Sequence, residues 1–567
     1  MSGLAVPAIV AVTIATFAIG AYGLKLARTT SDFLVAARAV SPTWNAAAIS
    51  GEYLSAASFL GVAGLILKDG ADGLWYPVGF AAGYLALLLF VAAPLRRSGA
   101  FTLPDFCEAR LRSRGLRRLA TVFVVLIGWL YMLPQLQGAG LTLRTVAGGP
   151  YQLGAVLVGV VVTANVALGG MRSITFVQAF QYWLKLTALL VPVLFLLMAW
   201  QDDGRPPIAS PAGQTFVQAT TVTFDDPVQV STTRPEDVQI TLGAIDGQHG
   251  LVRLEPGDHH VARSSAVVFP AGAEVPELAP VPTAQGLDWL LPLHRGDRGL
   301  FATYSLILAT FLGTMGLPHV LVRFYTNPDG VAARRTTLVV LGLVGLFYLL
   351  PAFYGALARV YAPQLTMTGH TDATVLVLPD AALGSTAGRW LGALVAAGAF
   401  AAFLSTTSGL LTSVAGVLST DVIGRDGHST VRGFRVAAIV AGAVPLLLSL
   451  HISGLDVSEV VGLAFAVAAS SFCPLLVLGI WWRGLTDAGA AAGVIVGGGA
   501  GIVAVLVTVL GAPLTGWTEI LINQPAAWTV PLAFLVMVVV SKATPSRVPI
   551  GVGATMLRLH APDSLRL

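Results

Sequence analysis

The chain has 567 residues, 55% of them hydrophobic and 11% charged, with a formal net charge of +4 and a mean hydropathy of +0.78. A soluble protein carries about 25% charged residues, so a soluble fold is excluded and the length reads as many membrane spans. Two cysteines, Cys107 and Cys473, cannot make a disulfide framework, and neither has metal-ligand spacing around it.

Apolar runs set about thirteen membrane helices, near 5–24, 44–67, 74–94, 119–143, 151–168, 174–200, 299–325, 335–360, 385–420, 432–452, 458–482, 486–511 and 525–541. No basic segment precedes the first run, and Lys25 and Arg28 follow it, so it reads as a retained span with an outside N-terminus. The second, WNAAAISGEYLSAASFLGVAGLIL, carries Ser50, Gly51, Glu52, Tyr53 and Ser55 at its middle, where glycine and small polar residues weaken a helix. The loop after the third holds Arg96, Arg97, Arg110, Arg112, Arg114, Arg117 and Arg118. Lys185 in the sixth (FQYWLKLTALL) is placed toward the cytoplasmic third, where a lysine snorkels, and reads as structural.

Residues 201–297 form a long acidic insertion. Its stretches FVQATTVTF, VQVSTT, VQITLGAI and HHVARSSAVVF are β-rich between proline and glycine breaks. Asp258, His259 and His260 within it read as solvated rather than as a metal site. The seventh helix, LFATYSLILATFLGTMGLPHVLVRF, is interrupted by Gly313, Thr314, Gly316 and Pro318, the proline removing a backbone hydrogen bond. The ninth holds four consecutive hydroxyls, Ser405, Thr406, Thr407 and Ser408. In hydrocarbon such groups face a bundle interior, a cavity or an ion, or else act as small packing residues bonded to their own helix.

Lysine and arginine crowd the odd-numbered loops and the tail, while the short even loops hold only Lys68, Arg144, Arg359 and Arg389. The positive-inside rule then puts the N-terminus and the 201–297 insertion outside and the C-terminus in the cytoplasm. The organisation expected is an extra N-terminal helix and loop (1–43), a first repeat (44–200), an extracellular β-rich insertion (201–297), a second repeat (298–484), and two C-terminal helices with a cytoplasmic tail (485–567).

The interrupted helices, two and seven, lie five apart, and each begins a set of five. Paired interruptions in two halves mark an inverted-repeat transporter with its site at mid-membrane. A broken helix exposes amides that suit an anion and carbonyls that suit a small cation. The plainer reading is that each glycine lets a neighbouring helix approach. Glu52 is an acid near the centre of a span, open to three roles: proton carrier, part of a cation route, or structural brace.

The segments GEYLSAASFLG (51–61), YMLPQLQGAG (131–140), LGGMRSITFVQAFQ (168–181), GLPHVLVRFYT (316–326), LSTTSGLLTSVAGVLSTDV (404–422) and VGLAFAVAASSFCPLLVLGIWWRGLTDAGAAAG (461–493) are similar to the sodium/solute symporter family, and most closely to its acetate-permease-like, monocarboxylate branch. The likeness spans nearly all of the chain except 201–297. It implies an all-α polytopic fold with a five-plus-five, leucine-transporter-like inverted-repeat core. It also implies a sodium ion held by the hydroxyls of Ser405 and Thr406 and the backbone carbonyls of Gly51, Leu54 and Ala402. Tyr53 stands where some relatives have Asp, and Gln178 stands where sugar- and proline-transporting relatives have Asp.

The expected function is sodium-coupled uptake of a short-chain monocarboxylate by alternating access in a bacterial plasma membrane, with no cofactor beyond the coupling ion and no nucleic-acid partner. The alternatives are proton coupling with the same substrates, or sodium symport of another small organic solute. Tyr53, Ser55, Gln135, Thr314 and Gly316 are the expected substrate contacts, with Glu52 as a coupling candidate. No nucleophile elbow, phosphate loop or zinc motif lies in a suitable context, which argues against an enzyme. His319 and Arg323 read as a gating or structural motif at the cytoplasmic end.

Overall fold

The computed structural model describes residues 2–24, 41–209, 214–224, 226–279, 286–293, 296–384, 386–424, 430–451, 457–511 and 514–561. Lys25 and Arg28, used for the topology above, lie outside the described residues. Twelve helical stretches among the described residues are long and apolar enough to cross a membrane. The expectation was about thirteen. The difference arises where the second and third helices join, because Ala57–Arg97 is one apolar stretch of 41 residues turned by a 3₁₀ segment at Gly70–Leu74.

In chain order the principal helices are α1 (Ser2–Leu24), α2 (Pro42–Tyr53), α3 (Val62–Asp69), α4 (Trp75–Ala86), α5 (Arg114–Ala147) and α6 (Tyr151–Asp202). After the sheet come α7 (Gly296–Gly316), α8 (Pro318–Val322), α9 (Gly330–Tyr361), α10 (Thr386–Asp421), α11 (Val431–Ser449), α12 (Val457–Trp481), α13 (Asp487–Gly493) and α14 (Ala526–Ala543). Two spans were expected over 151–200. They follow one another in α6 without an intervening loop, as the apolar stretches Tyr151–Gly169 and Ser173–Asp202.

The first break lies where small and polar residues weaken the helix. Leu54 leaves the α-conformation with ψ 89° after its amide makes a last helical bond to Ser50 O at 3.1 Å. The chain then resumes as a single π-turn over Ala57–Gly61 and continues as α3. The second break is at Leu317, extended at φ −72° and ψ 115°. Pro318 does not disturb a helix interior as expected. It opens α8 at its first position, where a missing N–H costs nothing and the fixed φ suits a helix start.

Helix α10 lies at the centre, with 94% of its most apolar window buried. It packs against α6 and α5, with α1 and α2 also touching it. A helix apolar on all sides is a buried one. Gly51 allows α2 to approach α6 closely, since a Cβ there would lie 2.2 Å from Gln178 O. Gly316 does the same for α7 against α12, with Ala468 O at 2.4 Å from a Cβ. The break and the close-approach readings of these glycines therefore hold together.

The segment between α6 and α7 folds as a seven-stranded antiparallel sheet, in the order β1-β6-β3-β5-β2-β7 with β4 on β3. The strands are β1 (Thr220–Phe224), β2 (Val228–Thr232), β3 (Glu236–Ile245), β4 (Gln248–Leu254), β5 (Gly257–Val261), β6 (Ser265–Phe269) and β7 (Glu277–Ala279). Alternate residues such as Val222, Phe224, Val238, Ile240, Val267 and Phe269 form its core, which Met367 of the helical body enters.

Candidate functional site

The two breaks meet. Tyr53, the last residue of α2, places its hydroxyl 2.8 Å from Thr314 Oγ1, in the last turn of α7. Thr314 also donates to Thr310 O at 2.7 Å, so Tyr53 is the donor across the gap. Aromatic rings close around this pair. Tyr84 lies 4.5 Å from the Tyr53 ring, Phe80 5.8 Å and Phe465 6.4 Å, centroid to centroid. Tyr131 joins the cluster at 5.5 Å from Phe465 and 5.3 Å from His319.

The amide that the first break frees at Ala56 is taken by Gln135 Oε1 at 2.8 Å. Gln135, expected to face substrate, thus braces the break in this conformation. Ser55 is buried beside it. Both ring nitrogens of His319 are buried without a hydrogen-bond partner among the described residues. Its ring packs edge-on against Tyr131.

On the other side of α2, the residues expected to bind a cation do come together. Ser405 Oγ lies 2.7 Å from Gly51 O and 3.0 Å from Ala402 O, and Thr406 donates to Glu52 O at 2.6 Å. A side chain that the sequence reading placed elsewhere sits among them. Lys185 of α6 donates to Gly51 O, to Leu54 O at 2.7 Å and to Ser405 Oγ at 2.9 Å. It is fully buried, so the snorkelling expectation is corrected. The amine points inward to the broken end of α2, where free carbonyls and the negative end of the helix dipole receive it.

Glu52 and Arg323 form a buried ion pair, Nε to Oε2 at 2.6 Å, with each side chain 1% exposed. Arg323 also donates to Thr175 Oγ1 at 3.0 Å and to Gln178 Oε1, and Gln178 donates to Ser405 O at 2.8 Å. Gly409 makes room, since a Cβ there would lie 2.1 Å from the Glu52 carboxyl. The pair joins α2 to the segment that follows the second break, and Glu52 Oε1 is buried without a hydrogen-bond partner among the described residues. Ser408 bonds its own helix at Leu404 O, 2.6 Å away, as a packing hydroxyl does.

Sequence reasoning did not find Lys185 at the cation oxygens, Arg323 as the partner of Glu52, or the rings of Phe80, Tyr84 and Phe465. In the insertion, His259 bonds Asp246 Oδ2 through Nδ1 at 2.7 Å and Glu255 O through Nε2 at 2.6 Å.

A model of the sodium:solute symporter family matches residues 33–263 and 292–497. The match runs into the sheet as far as 263, further than the sequence resemblance, which left out 201–297. An uncharacterized symporter, YwcA of Bacillus subtilis, is 31% identical over 539 residues, covering 92% of this chain and 90% of that protein. A protein named monocarboxylic acid transporter from Corynebacterium glutamicum is 31% identical over 542 residues, covering 90% and 87%. Among solved structures, a substrate-bound, outward-open Na+-coupled sialic acid symporter superposes with a TM-score of 0.60 at 15% identity, over 94% of this chain and 98% of that one. That likeness is one of fold.

Proposed function

This chain belongs to the sodium:solute symporter family, and we propose that it takes up a short-chain monocarboxylate, of the acetate, propionate or pyruvate type, by cation-coupled alternating access. The observation that carries the substrate class is the Tyr53–Thr314 hydroxyl contact between the two breaks, walled by aromatic rings. Two hydroxyls suit one carboxylate, and a wall of apolar rings suits a short apolar tail better than the hydroxyls of a sugar. The C. glutamicum relative points the same way. In this reading the substrate carboxylate separates the two hydroxyls and accepts from both, with Ser55, Gln135 and Gly316 framing it, so that substrate binding loosens one bridge between the repeats.

For the coupling ion the family resemblance proposes sodium at Gly51, Leu54, Ala402, Ser405 and Thr406. A second reading, proton coupling, is favoured by the Lys185 ammonium on three of those five atoms. The basic loops support a bacterial plasma-membrane orientation with the N-terminus and sheet outside and the C-terminus in the cytoplasm.

The test is uptake of labelled acetate, propionate and pyruvate into vesicles under separately imposed sodium and proton gradients. Tyr53→Phe removes a donor to a charged group, an interaction of about 1.5–3 kcal/mol, and is expected to weaken apparent affinity about tenfold or more. An unchanged KM in Tyr53→Phe, or uptake of none of the three acids, refutes the reading.

A further inference from the structure

We infer that the cation of the α2–α10 site is tethered: the Lys185 ammonium occupies the position that the family resemblance gives to sodium, and the site binds no sodium while Lys185 is there. A lysine that merely packs in a membrane helix extends its amine toward water. Lys185 does the reverse. It is fully buried, and its Nζ lies on Gly51 O, Leu54 O and Ser405 Oγ. An ammonium has three N–H donors and no acceptor, and here each donor has one oxygen.

The remaining hydrogens also have places. With Ser405 Oγ accepting from the amine, its own proton goes to Gly51 O at 2.7 Å or Ala402 O at 3.0 Å, and the Thr406 proton goes to Glu52 O at 2.6 Å. A hard metal cation needs the lone pairs of several such oxygens at once. Three of the five expected ligands are engaged by the amine, and a second positive charge at ordinary ligand distance from them would stand against the first.

Glu52 is the acid whose charge acts on Lys185. Glu52, on α2, is ion-paired to Arg323, beyond the second break. The residues of α10 at this level are hydroxyls, Ser405 and Thr406. Tyr182 of α6 gives its hydroxyl to Leu343 O at 3.1 Å, and Tyr354 of α9 gives its own to Leu189 O at 3.3 Å. The charge on Lys185 is met by the carbonyl end of α2, as a bound ion's would be.

The consequence is a clamp that does not depend on ion arrival. Where a free cation would draw α2 and α10 together only when bound, Lys185 joins α6, α2 and α10 as part of the chain. This inference deepens the proposed transport function and rests on it only for the uptake measurement below.

The experiment uses the purified full-length protein. Thermal unfolding is followed in sodium chloride and in choline chloride at equal ionic strength, with 22Na+ binding measured in parallel. The native protein is expected to unfold at the same temperature in both salts and to bind no 22Na+. Lys185→Ala frees the oxygens and opens space, so it is expected to gain a saturable, sodium-specific rise of about 2 °C or more. Lys185→Met, similar in length and uncharged, keeps the space filled and is expected to show no rise, which separates an opened ion site from loss of charge.

Saturable 22Na+ binding by the native protein that Ser405→Ala abolishes overturns the inference, as does a Lys185→Ala protein that folds and ignores sodium. If Lys185→Ala does not fold, the native arms alone decide. Labelled acetate uptake is expected to change less than twofold when sodium replaces choline. Failure of all monocarboxylate uptake, with the binding results as expected, refutes the substrate reading and leaves the tethered cation standing.

Discussion

Arg323 shows how much one side chain holds in place. Its guanidinium reaches Glu52, Thr175 and Gln178 at once, joining the second break to α2 and α6. Removing one partner of a buried pair strands the other charge, at a cost of about 3–5 kcal/mol. Arg323→Ala is therefore expected to lower stability by that order in a denaturant titration, and Arg323→Ala with Glu52→Gln to recover a large part of it. A double variant no better than the single one would mean that the pair is not what stabilises this region. At this scale the sequence was only partly legible. Glu52 stood out as an acid in mid-span, but its partner is 271 positions away, and nothing local in GLPHVLVRF says which helix Arg323 reaches. Lys185 was visible and misplaced, because the direction of its amine depends on how α6 is rotated against the broken end of α2.

The helix breaks were legible for a local reason. Ser50, Gly51 and Ser55 in one span, and Gly313, Gly316 and Pro318 in another, are residues that weaken or end helices wherever they stand. The rings around Tyr53 were not, since Phe80 and Phe465 sit in runs of apolar residues indistinguishable from lipid-facing ones until α4 and α12 are packed. Gly51 is the element-scale test. A methyl group there meets backbone at Gln178 O, 2.2 Å away, and backbone cannot rotate aside as a side chain can. Gly51→Ala is expected to push α2 from α6 and destabilise by about 1–3 kcal/mol. It should also lengthen the Lys185 contacts, read as faster hydrogen exchange in α2; unchanged exchange would show that the close approach is not needed.

Across the whole molecule, alternation of apolar and polar residues disclosed the sheet strands well, since β1, β2, β3, β5 and β6 fall on the stretches read as β-rich. The pairing order was not legible, because register depends on contacts between distant strands. The His259–Asp246 contact gives this part of the molecule a pH response. Partial burial disfavours the charged imidazole, but the Asp246 carboxylate and Glu255 carbonyl outweigh it and raise the His259 pKa. Partial burial likewise opposes ionisation of Asp246, but hydrogen bonds from His259 and the His260 amide outweigh it and lower its pKa. The histidine contribution is complete below its unfolded value of about 6.5 and is lost as pH rises through the higher folded value. The aspartate contribution is lost as pH falls through its lowered value. Protection of the sheet amides, with the intrinsic pH dependence of amide exchange divided out, is therefore expected to fall from pH 6 to pH 8, and His259→Gln to flatten that fall; an unaltered profile in the variant would remove His259 from the account.

Met367 sits in the core of the sheet, yet it belongs to the short helix Gln364–Met367 that follows α9, and Gln214 beside the sheet donates to Arg359 O at the end of α9 with a 3.1 Å bond. The sheet is thus riveted to the C-terminal end of one membrane helix rather than hung from the chain on either side of it. Any tilt of α9 during a transport cycle swings the sheet bodily, as a pointer magnifies the turn of its axle. A dye placed on the far edge of β1 would report helix motion from outside the bilayer, and a bulky binder gripping that edge would act as a brake.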